Sequence, residues 1–226
     1  MSAVQHPFYP TSIVLPHFVP QEYTALEILV PFFAGVGGLI VLGSLAMNSR
    51  RINLSSSKVG TTLVFLWFLS CGVIHTIVEG YFAFNHKDIA GQTTFLADLW
   101  KEYAKSDSRY MTSDSFVWIM ESVTAIFWGS LSFYSAYLIY ANKPSRHLFQ
   151  FTVSLGQFYG DVLYYFTTLV EGAQDCTPHP YYFYFYFVFM NILWIFFPAM
   201  IMYSSGKEIV KGLAMSQESE NVKKAK

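Results

Sequence analysis

The sequence predicts an all-α membrane protein, a five-transmembrane-helix bundle around an intramembrane ligand cavity. Three observations carry this expectation. Of the 226 residues, 53% are hydrophobic and 13% charged, the wrong balance for a chain of this size in water. The charged residues fall mainly between five long apolar runs. The few ionisable groups inside those runs lie on single helical faces, as groups that share an interior must. A soluble enzyme and a disordered chain are both excluded. The net charge of −1 lacks the basic footprint of a nucleic-acid binder, so no nucleic-acid partner is expected. The two cysteines, Cys71 and Cys176, cannot form a disulfide framework or a four-thiolate metal site, and Cys71, inside an apolar run, reads as a small packed thiol.

A run of about 18 or more apolar residues crosses the roughly 30 Å hydrocarbon layer as a helix. Five segments qualify: Ile28 to Met47, Thr61 to Phe84, Phe116 to Tyr140, Leu148 to Leu169 and Tyr181 to Tyr203. A closed barrel would show alternating ten-residue segments, whereas these runs are continuous. No Lys or Arg precedes the first run and it is too long for a signal-peptide core, so it is expected to remain as a span. An N-terminus on the lumenal side places ten Lys and Arg in the cytosol and four outside; those four sit in a 31-residue loop that also carries five acids. One domain, residues 1–204, is therefore followed by a cytosolic tail, residues 205–226. The tail ends Lys223, Lys224, Ala225, Lys226 and resembles the dilysine address of endoplasmic reticulum membrane proteins. In the loop from Asn85 to Ser115, Phe95, Leu96, Leu99, Trp100 and Tyr103 recur at helical spacing beside Asp98, Lys101, Glu102 and Lys105. That pattern predicts an amphipathic helix at the membrane surface, either functional or a cap on the bundle.

Chemistry is expected where charge is expensive. His75 and Glu79 lie in the second span, Glu121 in the third and Asp161 in the fourth. An ionisable group at the bilayer centre costs about 2.5–3.5 kcal/mol on insertion scales, so each must face the interior and find a partner. His75 and Glu79, four apart, share a face. Glu121, Thr124 and Trp128 form a stripe on the third helix, Gln157, Asp161 and Tyr164 one on the fourth, and Asn191 with Trp194 one on the fifth. Four polar stripes on apolar cylinders converge on one interior. Asp161 reads equally as an interhelical hydrogen-bonding post, and the run from Tyr181 to Phe189 as interfacial belt and packing. Nucleophile elbows, phosphate loops and His-Glu-x-x-His helices are absent from the sequence, and its histidines are too scattered for a di-iron site. One His and two Glu could hold zinc, but the apolar surround suits proton transfer better, so neither metal nor cofactor is expected. Two carboxyls in unlike surroundings can divide the labour of acid and base. Such a pair adds a proton to one carbon of an apolar substrate and removes one from another. The intervening carbocation is stabilised by a Trp face, by about 2 kcal/mol when desolvated, with Trp194 and Trp128 as candidates.

Five strings carry a resemblance: CGVIHTIVEG (Cys71 to Gly80), WKEYAKSDSRY (Trp100 to Tyr110), MESVTAIFWG (Met120 to Gly129), GQFYGDVLYY (Gly156 to Tyr165) and FYFVFMNILW (Phe185 to Trp194). In this order and spacing, over roughly Thr61 to Ala199, the chain resembles the emopamil-binding protein family of sterol Δ8-Δ7 isomerases. The resemblance implies a five-helix enzyme of the endoplasmic reticulum, usually dimeric, that converts zymosterol-like Δ8 sterols to Δ7 sterols and also binds cationic amphiphilic drugs. It implies His75, Glu79 and Glu121 as the catalytic centre, lined by Thr124, Asn191 and Trp194, with Tyr110 and Met120 near the substrate; the last two rest on resemblance alone. The competing class is a sterol- or lipid-binding receptor or transfer protein, which would need the cavity but not the proton relay. A proton or ion pathway ranks below both, because the polar residues cluster near one depth rather than along whole helices.

Overall fold

The computed structural model describes residues 5–49 and 58–225. Arg50 and Arg51, which enter the charge count, and Lys226 of the dilysine-like ending lie outside these residues. Besides single 3-10 turns at Ile89–Gly91 and Ser108–Tyr110, six helices are described: α1 Ala25–Ser49, α2 Lys58–Asn85, α3 Phe95–Ala104, α4 Ser115–Tyr140, α5 Arg146–Val170 and α6 Tyr181–Lys224. Among the described residues there is no β-strand, only an isolated bridge between Asp107 and Cys176.

Four helices, α1, α2, α4 and α6, are long and apolar enough to cross a membrane. The fourth expected run is α5, which is less apolar on average for an identifiable reason. Its inward face carries Gln150, Ser154, Gln157, Asp161, Tyr164 and Thr168, all buried, while Leu155, Tyr159, Phe166 and Leu169 point outward and are exposed. At 1.5 Å per residue its 25 residues extend about 37 Å. Helix α6, at 44 residues, extends about 66 Å, so it outruns any bilayer and its exposed last turns form a helical tail.

Two apolar cores flank a polar layer. One gathers Phe82, Trp100, Tyr110, Val117, Tyr164 and Phe187; the other gathers Phe65, Phe68, Ala136, Ile139, Val153 and Ile201. On each of α2, α4, α5 and α6, the residues with chemistry fall between a member of the first core and a member of the second. The layer is thus fixed at one depth. Wide π-helical turns occur in that region at Ile74–Glu79, Thr124–Trp128 and Tyr181–Met190, a feature that often marks functional positions.

Helix α3 departs from the expected surface helix. Asp98, Lys101 and Glu102 are buried rather than wetted, because the N-terminal segment folds over them. Asp98 accepts the backbone N–H groups of Glu22 and Tyr23 at 2.7 and 3.3 Å, and Glu102 accepts from the Gln21 amide at 3.0 Å and from Lys105 at 2.6 Å. The helix is a plug held between that segment and the bundle. Thr94 caps it through the Ala97 N–H at 3.2 Å.

Close helix approach at the polar layer depends on two glycines. A Cβ on Gly129 would stand 2.6 Å from Thr76 Oγ1 and 3.3 Å from His75 Cβ, and one on Gly156 would stand 2.4 Å from the Trp128 ring. Gly156→Ala is expected to lower stability by about 1–3 kcal/mol through overpacking, seen as a reduced melting temperature in detergent micelles. An unchanged melting temperature would show that Trp128 moves freely.

Candidate functional site

The site begins with the α2 wide turn, which presents His75 and Glu79 inward; both are buried, at 2% and 9% exposure. His75 Nδ1 lies 2.8 Å from each Glu79 carboxylate oxygen. On its other side, Nε2 is 2.9 Å from Gln157 Nε2 of α5. With the Gln157 amide donating to Nε2, the ring proton sits on Nδ1 and is donated to Glu79. Trp194 of α6 packs against the imidazole with ring centroids 4.9 Å apart, and Trp67 packs on Trp194 at 5.0 Å.

Across from this pair, α4 presents Glu121, whose electrostatic neighbours are Glu79 and Asp161. Glu121 Oε1 accepts the Tyr110 hydroxyl at 2.7 Å. Tyr110 lies outside the spans, stacked on Trp100 with centroids 4.9 Å apart. Burial pushes its phenol well above the usual range, so it stays a donor to Glu121 at every physiological pH. Tyr110 is held by a clasp immediately before it in the chain. Arg109 grips Asp107 through Nε, at 3.1 Å from each carboxylate oxygen, and through an outer guanidinium nitrogen at 2.7 Å; Tyr164 donates to Asp107 at 2.8 Å, and Arg109 also bonds Thr168 of α5.

Of the residues expected here, His75, Glu79, Glu121, Tyr110 and Trp194 form a contiguous group. Met120 packs at the edge of the Tyr110 core. Thr124 donates its hydroxyl back to the Met120 carbonyl at 2.8 Å, and Trp128 fills the space over Gly156. Asn191 turns to the plug: its Nδ2 donates to the Phe187 carbonyl at 2.7 Å, and its amide meets the Tyr103 hydroxyl at 2.9–3.0 Å. Trp194 meets the histidine itself. Gln157 stands on the predicted stripe but was not expected to touch His75; its place one turn before Asp161 was the available signal. Tyr103 as a partner of Asn191 had none, since the two are distant in sequence, and the spacing of Asp107 and Arg109 gave no sign that Tyr164 and Thr168 of α5 would complete their clasp. Two surface cavities, of about 230 and 450 Å³, are lined by N-terminal residues with Lys101 and Lys105, and by the 172–184 segment with Tyr9. His75, Glu79 and Glu121 line neither of them.

A helical membrane protein with a buried His–Glu pair facing a second carboxyl is a class suited to proton transfer on an apolar ligand. The family model described as EXPERA (EXPanded EBP superfamily) matches residues 95–205. A protein of Cavia porcellus called 3-beta-hydroxysteroid-Delta(8),Delta(7)-isomerase is 40% identical over 204 residues, covering 90% of this chain and 88% of its own. Proteins of the same name from Rattus norvegicus and Mus musculus are each 41% identical, covering 93% and 90% of this chain and 91% and 88% of their own. The chain belongs to this EBP family. The similarity runs well beyond the Thr61 to Ala199 stretch that carries the sequence resemblance.

Proposed function

We propose that this protein is a cofactor-independent sterol Δ8-Δ7 isomerase of the endoplasmic reticulum membrane. The observation that carries the reading is the His75–Glu79 pair beside Glu121, sealed between two apolar cores, in a chain so similar to relatives of that name. In this reading α5 is the fifth span, its polar face turned to a sterol cavity, with the N-terminus lumenal, the C-terminus cytosolic and the enzyme a homodimer. Residues 1–204 act as one domain, and the rest is tail.

Protonated Glu121 delivers its proton to C9 of a Δ8 sterol, and the π electrons of the C8–C9 double bond form the new C9–H bond. The cation left at C8 is stabilised by the face of Trp194. Glu79 then removes a proton from C7, the C7–H electrons become the C7–C8 double bond, and His75 holds the Glu79 carboxylate in place. The support for this order of roles is that the imidazole N–H favours the ionised form of Glu79, the base, while Glu121 is buried beside that charge; the reverse order uses the same groups. Gln157 holds the other side of the ring by donating to Nε2, which keeps the Nδ1–H directed at Glu79. Tyr110, Met120, Thr124, Trp128 and Asn191 shape the substrate's walls. A site built to stabilise a cation beside carboxyls also accounts for cationic amphiphilic ligands. Conversion in heavy water tests the route: one solvent deuteron is expected at C9 of the Δ7 product, and an unlabelled product excludes protonation there.

A further inference from the structure

We infer that Asp161 is the acceptor for the substrate's hydroxyl, the 3β-hydroxyl of a sterol, an assignment that rests on the isomerase reading and extends it. Asp161 is 8% exposed, and its Oδ2 is buried with no hydrogen-bond partner. At membrane depth an unmatched carboxylate oxygen is costly, so a donor is required. The phenols around it are committed elsewhere: Tyr103 to Asn191, Tyr110 to Glu121, Tyr164 to Asp107, and Tyr165 to the carbonyls of Val188 and Phe187. The remaining source is the ligand.

Placement fits a steroid. Asp161 follows Gln157 by one turn of α5, a rise of about 6 Å from the residue that holds His75. It is buried on the same face of α5 as Gln157, which meets His75, and Tyr164, which meets Asp107, so it faces the bundle interior rather than lipid. In a 3-hydroxysteroid the hydroxyl sits across rings A and B from the C8–C9 bond, a separation comparable with one helical turn. The ring system is otherwise apolar, so this O–H is the donor it can offer.

The test uses the full chain in detergent micelles with two substrates, a 3β-hydroxy Δ8 sterol and its 3-deoxy counterpart. Asp161→Leu is expected to raise KM for the hydroxy sterol by about tenfold to a hundredfold, the range for losing a buried hydrogen bond. For the deoxy sterol KM should stay within about twofold by the same reasoning, since no bond is lost. Asp161→Asn, which keeps an acceptor oxygen, should retain part of the preference. General damage to the fold would weaken both substrates together and leave their ratio alone, so an unchanged ratio in the leucine variant overturns the assignment. If the wild-type chain isomerises neither sterol, the isomerase reading itself fails, a result separate from an unchanged ratio.

Discussion

Glu121→Gln is expected to reduce turnover by about 10²–10⁴-fold, the usual contribution of a positioned general acid. The substitution keeps the shape of the side chain and an oxygen for the Tyr110 hydroxyl, which bonds Glu121 at 2.7 Å, so folding and sterol affinity should change little. What it removes is the proton that can be transferred. Glu79→Gln should fall comparably for the opposite reason: an amide cannot accept the C7 proton, and the charge matched to His75 is lost. The readouts are single-turnover rate and equilibrium ligand affinity measured on the same preparations. Near-normal turnover in Glu121→Gln would remove Glu121 from the chemistry and transfer its role to Glu79 or Asp161. A collapse of binding together with rate would show that the carboxyl holds the substrate rather than protonating it.

The contrast between these residues and their neighbours explains what the sequence made legible. His75 and Glu79 were readable because spacing of four survives the wide turn of α2 and still places both on one face. The wide turns themselves were not readable, since the same apolar residues fill an α-helix or a π-helix equally well. Asn191 shows the consequence. It opens the regular part of α6, three residues before Trp194, but the wide segment Tyr181–Met190 ends just before it and its amide goes back to the carbonyls of Phe187 and Tyr186 in that segment, with Tyr103 beyond. Trp194 alone turns to His75. The α5 stripe was legible in full, because polar residues at helical spacing inside an apolar run have only one place to go. The covering of α3 was not, because its partners come from the N-terminal segment more than 70 residues away, through backbone N–H groups that leave no pattern.

The least legible feature is the one whose loss should cost the most stability. Arg109→Met is expected to destabilise the fold by about 3–5 kcal/mol, the range for removing one member of a buried ion pair. Arg109 is 4% exposed and Asp107 fully buried, so the lost guanidinium leaves a carboxylate with the Tyr164 hydroxyl as its remaining side-chain donor. Burial by itself disfavours the Arg109 charge, but the hydrogen bonds and charge of Asp107 outweigh it and hold the guanidinium above its ordinary range. The pair is therefore stable as a unit and fragile when halved. The distinguishing measurement is a double-variant comparison in micelles: Arg109→Met with Asp107→Leu should melt at a higher temperature than Arg109→Met alone, because no unpaired charge remains. A double variant that melts lower than either single would mean that the two side chains act by packing alone. Since Tyr110 follows Arg109 directly and reaches Glu121, the double variant should also turn over more slowly than wild type even where it stays folded.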